Sequence, residues 1–332
     1  MINPSPHSSP TAMSAPTREG VLRAADKIAR LLPPTTLLPL TLPSGASVWA
    51  KAESLQPVGA FKIRGAWHRL TDMAPEERAR GIVAVSSGNH AQGVAWAAAR
   101  LGIAARIVMP ADAPEVKLAA TRALGADVVL YDRRRESRDA IAAGLIAQSG
   151  AVLVHAFGDP WVIEGQGSTG IELTGQMDLQ AGGAPTRIVT PCGGGGLAAG
   201  LVLACPHATV VPVEPEHWDD LTRSLARGTI EAVPADAPGT ACDALQTPAT
   251  FPINFAVLHA AGVTGVSVTE AEVRAAQRLA FAALHLVIEP GGAAGLAALI
   301  ANKVPADGRT AVILSGGNVD RAAYARVLAR DD

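Results

Sequence analysis

The sequence predicts an α/β protein built on mainly parallel sheets, and three observations carry that expectation. Short apolar runs alternate with helical repeats from about residue 80 onward. Glycines fall where those helices should stop. The apolar runs empty into loops of small hydrogen-bonding residues.

The first series reads "GIVAVSS" strand, "AQGVAWAAARLG" helix, "ARIVMP" strand, "PEVKLAATRALG" helix, "ADVVLY" strand, "ESRDAIAAGLIAQSG" helix and "AVLVH" strand. Strands of four to eight residues separated by helices call for crossover connections, and so for parallel pairing. Gly102, Gly125 and Gly150 each close a helix, where a left-handed residue is needed and a side chain is unwelcome. A second series follows: "TRIVTP", a glycine run, "LAAGLVLAC" and "TVVPVEP". After a Pro- and Ala-rich stretch come "GVTGVSV", the helices "TEAEVRAAQRLAFAALH" and "GGAAGLAALIANKV", and the strand "TAVILS". Thr269 and Glu272 have the spacing of a capping box for the first of these helices. Two α/β units in one chain are therefore expected, with no short internal repeat.

The bulk numbers bound the function. At 332 residues and 48% hydrophobic, the chain can bury one large or two modest cores. Lys and Arg total 28 against 30 Asp and Glu, and no basic cluster alternates with aromatics, so a nucleic-acid partner is not expected. The charged run "YDRRRESRD" reads as a solvated helix start. No apolar stretch has the length of a membrane span, and "MINPSPHSSPTAMSAPTREG" lacks the apolar block of a signal peptide, so a cytoplasmic protein with a flexible tail over residues 1–20 is expected. Cys192, Cys205 and Cys242 are too scattered for a disulfide framework or a zinc site and read as buried, reduced thiols.

Gly193, Gly194, Gly195 and Gly196 lie between a strand and a helix in "TPCGGGGLAAG". Consecutive glycines cost about 0.5–1 kcal/mol each relative to alanine where an element could form, and a tight turn needs only one or two. A bare bend at a helix N-terminus, by contrast, offers several backbone N–H groups to an anion. No Lys-Ser or Lys-Thr follows the run, and the dinucleotide spacing is absent, so a single phosphate fits best.

Only five lysines occur: Lys27, Lys51, Lys62, Lys117 and Lys303. Lys27, Lys117 and Lys303 fall in helices, where a solvated surface role suffices. Lys62 sits between Phe61 and Ile63 in "ESLQPVGAFKIRGA", flanked by glycines. An amine drawn into apolar surroundings loses its proton more easily and becomes a nucleophile able to form an imine. In "SSGNHAQG", Ser86, Ser87 and Asn89 follow the carboxyl end of a strand, where ligands of parallel sheets bind. A serine N-cap would account for one of these residues, not the group.

A lysine for an imine, a glycine bend for one phosphate and a hydroxyl/amide loop for a small carboxylate describe a pyridoxal phosphate site. In "KAESLQPVGAFKIRGA", "SSGNHAQGVA", "PCGGGGLAAG", "VEP", "EPGGAAGLAAL" and "LSGGNVD", taken in order from about residue 35 to the end, the chain resembles the threonine/serine dehydratase and serine racemase family. The resemblance implies the fold type II architecture of tryptophan synthase β, with two three-layer α/β/α domains. It places a small substrate domain at 79–155 within a large cofactor domain of 21–78 and 156–332, the active site between them and closure on substrate.

Residue by residue, the resemblance makes Lys62 the Schiff-base lysine and Phe61 a neighbour of the cofactor ring. Asn89 would bond the ring hydroxyl, Gly193 to Gly196 with Leu197 would hold the phosphate, and Ser315 would face the pyridine nitrogen. A neutral hydroxyl there does not keep that nitrogen protonated, which favours loss of a β-substituent over transamination. Ser86, Ser87, Asn89 and His90 would receive the substrate carboxylate, with Arg138 a weaker candidate read as a helix surface residue. The implied reaction is removal of the α-proton by Lys62 and departure of the 3-hydroxyl, assisted by the cofactor phosphate as acid, to give a 2-oxo acid and ammonia. Ser87 would occupy the opposite face, which keeps a racemase reading open. "VEPEHWDD" resembles the family's divalent-cation site, with Glu214 and Asp220 as ligands, a carbonyl such as that of Trp218 between them, and magnesium or calcium as the ion; two solvated loop acids are the alternative. A homodimer is implied as well.

Two departures bear on the substrate. "PGTACDALQTP", 238–248, replaces a family "DG" segment, and Gly291 in "EPGGA" stands where Ser, Thr or Ala is usual. Both border the substrate side chain. The expected activity is a dehydrating ammonia-lyase on L-threonine or L-serine, or on a bulkier or more polar 3-hydroxy amino acid such as 3-hydroxyaspartate or phenylserine. An amino acid racemase and a catalytically silent binding protein of the same fold are the competing readings.

Overall fold

The computed structural model describes residues 15–86, 88–113 and 115–329. Its strands are β1 (Leu37–Thr41), β2 (Ser47–Lys51), β3 (Ile82–Val85), β4 (Ala105–Pro110), β5 (Asp127–Tyr131), β6 (Val152–Leu153), β7 (Arg187–Pro191), β8 (Thr209–Pro215), β9 (Val266–Val268) and β10 (Thr310–Ile313). They form a four-stranded sheet, β5-β4-β3-β6, and a six-stranded sheet, β1-β2-β10-β7-β8-β9. Every pairing in the smaller sheet is parallel. In the larger, only β1 and β2 run antiparallel. The alternation read from the sequence thus becomes two parallel layers, one inserted in chain order within the other.

The β1–β2 hairpin has no counterpart in the sequence expectations. Pro39 has no N–H to donate and is tolerated because β1 is an edge strand. Residues 18–20, counted with the expected tail, are helical. A helix runs Arg18–Ala29, capped by the Thr17 side chain on Gly20 N, and Thr17 N also donates to Glu164 at 2.8 Å; residues 1–14 lie outside the described residues.

Local signals hold where predicted. Gly102 and Gly150 are left-handed C-caps at φ 65° and 66°. Thr269 and Glu272 exchange both capping-box bonds, at 3.2 and 2.7 Å. Cys192, Cys205 and Cys242 are free and buried. No described helix is long and apolar enough to cross a membrane.

A buried ion cluster anchors the segment that carries Lys62. Arg64 presents its fork to Glu53, with both bonds 2.7 Å, and reaches Glu172 at 2.9 Å; Lys51 also pairs with Glu172. Arg64, Glu53 and Lys51 are each 1% exposed or less. Such pairing offsets the desolvation of the charges only because nearly every donor is satisfied. It fixes the backbone just beyond Lys62.

Candidate active site

Lys62 immediately precedes the helix Ile63–Thr71. Phe61 N donates to Ser315 O at 3.1 Å, and Ala60 bridges Gly316, so the lysine loop is stitched to the loop after β10. From the other side the helix Asn89–Leu101 comes in at Gly93, whose absent Cβ would lie 3.0 Å from the Lys62 carbonyl carbon. Close approach of these segments depends on that missing side chain.

They enclose a cavity of about 290 Å³. The structure brings Phe61, Lys62, Ser86, Asn89, His90, Gly193 to Gly196, Leu197 and Ser315 to its wall. Ser87 lies outside the described residues. Glu214 and Asp220 do not line the cavity.

Lys62 Nζ donates to the Ala156 carbonyl at 2.8 Å and sits 5.2 Å from the centre of the Phe61 ring. Removal of the ammonium from water lowers its pKa to about 8. A useful fraction is then the neutral amine near neutral pH.

The glycine bend joins β7 to the helix Gly196–Ala204. Gly195 has φ 90°, a conformation open to glycine, and a Cβ on Gly194 would fall 2.2 Å from the Phe157 ring. Thr250 Oγ1 and Asn254 Nδ2 donate to the Gly194 carbonyl at 3.2 and 2.6 Å. With that carbonyl held by its own donors, the N–H groups of the first helical turn are left for an anion, since a helix supplies no acceptor for them. A phosphate-bearing cofactor with an aldehyde fits what is present: a bare cradle at one end, an amine that readily gives up its proton within the same walls.

Asn89 opens its helix without acting as the cap, which is Gly88. Its Oδ1 accepts from Asn318 at 2.8 Å and its Nδ2 donates to Glu289 Oε1 at 2.5 Å. His90 is 2% exposed, bonds the Val154 carbonyl through Nε2 at 3.0 Å, and has its pKa lowered to about 3, first by burial and then by the charge of Lys62. It is a neutral wall residue, so only its backbone N–H is suited to a carboxylate.

Glu214 accepts from Leu221 N, Thr222 N and Thr222 Oγ1 at 3.0, 2.7 and 2.6 Å, and Asp220 from Thr250 N at 2.6 Å. Neither is a solvated loop acid: they are 0% and 1% exposed. Burial, with the neighbouring charge of Asp220, raises Glu214 to about 8, and burial raises Asp220 to about 7. Among the described residues no group of three or more His, Cys, Asp or Glu is placed to hold a metal. Through Thr250, Asp220 also braces the glycine bend.

Of the basic residues given surface roles, Lys117 departs from its role and Arg138 keeps it. Lys117 is not a solvated helix residue: it is 6% exposed, lines the cavity and pairs with Asp243 of the 238–248 segment. Arg138 is an exposed residue at the start of its helix, as expected, and stands at the cavity as well, with a long contact of 3.8 Å to Asp139 as its ion pair. Periodicity places both on helices but does not say which side faces a cavity. Glu289, Asp243, Phe157 and Asn318 join the site without having been expected there. The scarcity of lysine singles out Lys117, and Glu289 stands inside the quoted "EPGGA". The two departures are neighbours in space: a Cβ on Gly291 would meet Leu245 at 3.2 Å and Ala244 at 3.5 Å. Gly291 yields its space to the substituted segment.

Comparison with known proteins agrees with this geometry. The family described as "Pyridoxal-phosphate dependent enzyme" matches residues 28–316. An L-threo-3-hydroxyaspartate ammonia-lyase of Pseudomonas sp is 39% identical, over 93% of this chain and 97% of that protein. The crystal structure of a threonine deaminase from T.th. superposes with a TM-score of 0.83 at 39% identity, over 92% of this chain and 99% of that one. Maize serine racemase gives a TM-score of 0.85 at 30% identity, over 94% and 97%.

Proposed function

The chain belongs to the pyridoxal-phosphate dependent enzymes of fold type II, in the threonine/serine dehydratase and serine racemase family, and from that premise we propose that it is an ammonia-lyase dehydrating 3-hydroxyaspartate to a 2-oxo acid and ammonia. The observation that carries the reading is the Lys62 amine, held at 2.8 Å from the Ala156 carbonyl in a cavity whose wall includes the bare glycine bend. When bound, pyridoxal phosphate supplies an electron-accepting ring conjugated to the substrate nitrogen, which acidifies the α-hydrogen.

The chain's own residues do the rest. The first-turn N–H groups at Gly196 and Leu197, with the bend from Gly193, would hold the phosphate. The remaining N–H of the Asn89 amide would serve the ring hydroxyl, Ser315 the ring nitrogen, and Phe61 would flank the ring. Lys62, as the neutral amine, would take the α-proton at Nζ. Ser86 and the N–H groups opening the Asn89–Leu101 helix orient the substrate carboxylate, and Ser87, in our reading, works on the opposite face. Residues 79–155 form the small domain that closes on the large one, 21–78 with 156–332; the four-stranded sheet falls within the former. Three buried free thiols support a reducing, cytoplasmic setting; the homodimer rests on the family resemblance.

A dicarboxylic substrate is supported by Arg138, which lines the cavity and whose ion pair among the described residues is the long 3.8 Å contact to Asp139. A panel of 3-hydroxy amino acids, both stereoisomers at each carbon, tests this by release of ammonia and 2-oxo acid. With Arg138→Leu, kcat/KM for 3-hydroxyaspartate should fall by about 10- to 100-fold, as expected for one lost charged hydrogen bond, and that for L-threonine far less. Equal losses on both substrates would refute the assignment. Production of the D-enantiomer without 2-oxo acid would make the protein a racemase.

A magnesium or calcium ion at Glu214 and Asp220, completed by a backbone carbonyl such as that of Trp218, is part of the proposal, supported by two buried carboxylates with hard oxygen donors. Chelation should lower activity and magnesium restore it. Indifference to chelator removes the ion.

A further inference from the structure

Glu289 precedes the helix Pro290–Ile300, yet its side chain does not cap that helix. It is 2% exposed and lines the cavity. One carboxyl oxygen, Oε1, accepts from Asn89 Nδ2 at 2.5 Å; the other, Oε2, is buried and has no hydrogen-bond partner among the described residues. The carboxyl, as placed, occupies the space a side chain at residue 316 would take: a Cβ there would lie 2.2 Å from Oε1. Asn89 is itself held by Asn318 at 2.8 Å, which resists any turn of its amide.

We propose that Glu289 is a positioning residue that holds a proton on Oε2 and, through Asn89, sets the charge felt by the ring hydroxyl of the bound cofactor. The inference rests on the cofactor reading above. A carboxylate with one oxygen unpaired in a closed wall is costly, and a proton on that oxygen removes the charge and turns it into a donor. Burial is the leading influence and raises the group to about 7, near working pH. Two charged groups act on it from facing elements: Lys117, on the helix Glu115–Ala123, favours the ionised form, and Asp243, on the turn Asp243–Leu245, opposes it. Their ion pair links the two sides of the cavity and sits astride the Glu289 titration.

The test is absorbance of the substrate-free holoenzyme against pH. The protein-bound cofactor has two bands whose ratio follows proton position between ring oxygen and imine nitrogen. In the parent protein the ratio should change with a midpoint near the Glu289 value, about 7. Glu289→Gln keeps the bond from Asn89 and presents a permanent donor, so its ratio should be flat across that range. Lys117→Met should move the midpoint up and Asp243→Asn should move it down. A parent ratio that does not titrate, a Glu289→Gln titration superposing on the parent's, or the two charge variants shifting alike would each overturn the inference while leaving the lyase reading standing. If Glu289→Gln fails to take up cofactor, the opposite shifts decide. Absence of any bound-cofactor band in the parent protein would sink the functional reading and this inference with it.

Discussion

Lys62→Ala should lower kcat by about 10⁴-fold or more, the upper end for loss of a general base and more where an imine is also lost. The fold should survive. Lys62 Nζ makes one hydrogen bond, to the Ala156 carbonyl, and the backbone at this point is held independently by Phe61 N on Ser315 O and by the Arg64 fork on Glu53. The long-wavelength band of the protein-bound cofactor should vanish while thermal unfolding stays close to that of the parent. Retention of both band and activity would show that another amine does the work. The pH dependence has a defined sign. Only the neutral amine attacks an aldehyde, and the Lys62 value is lowered to about 8, so cofactor uptake by the apoprotein should climb about tenfold per pH unit below that point and level off above it. An ordinary lysine would keep climbing well beyond.

Gly194→Ala should weaken cofactor binding by about 5- to 150-fold, the range that corresponds to 1–3 kcal/mol of overpacking. The new methyl would lie 2.2 Å from the Phe157 ring, which is packed edge-on against His155 at a centroid distance of 4.7 Å. That packing resists any retreat of the ring. The bend must then move outward, against the Thr250 and Asn254 bonds to the Gly194 carbonyl, and its N–H groups lose their aim. Phe157→Ala in the same chain removes the obstacle and should restore most of the affinity, as equilibrium titration with pyridoxal phosphate would measure. If the double variant binds no better than Gly194→Ala, the clash is not the cause.

Much of this is legible in one dimension because its physics is local. Alternating apolar runs and helical repeats imply parallel strands wherever they occur. Gly102 and Gly150 end helices for a reason carried by the residue itself, and four glycines in a row have few uses other than exposing backbone. Lys62 is conspicuous through rarity and neighbours. By contrast, the orientation of Lys117 and Arg138 is not readable: a lysine or arginine on a helix looks the same whether its tip meets water or a cavity, and only the packing of a second layer decides. The β1–β2 hairpin escapes for a related reason, since β2 finds its parallel partner in β10, at the far end of the chain.

Glu289 shows the division most sharply. In sequence it is an acid before Pro290, indistinguishable from a helix-starting glutamate. Its partners are Asn89, far earlier in the chain, and the missing side chain of Gly316. The sequence alone determined the parallel α/β architecture and pointed to Lys62 as the proposed nucleophile and to the glycine bend as the proposed anion cradle, since each depends on backbone preference or on the chemistry of a single residue type. The tertiary structure alone decided which charges share the cavity, that Gly291 and the 238–248 segment pack against each other, and that one carboxyl oxygen is left without a donor among the described residues. Those depend on distances between segments, and the desolvation that shifts a proton is a property of the enclosing walls.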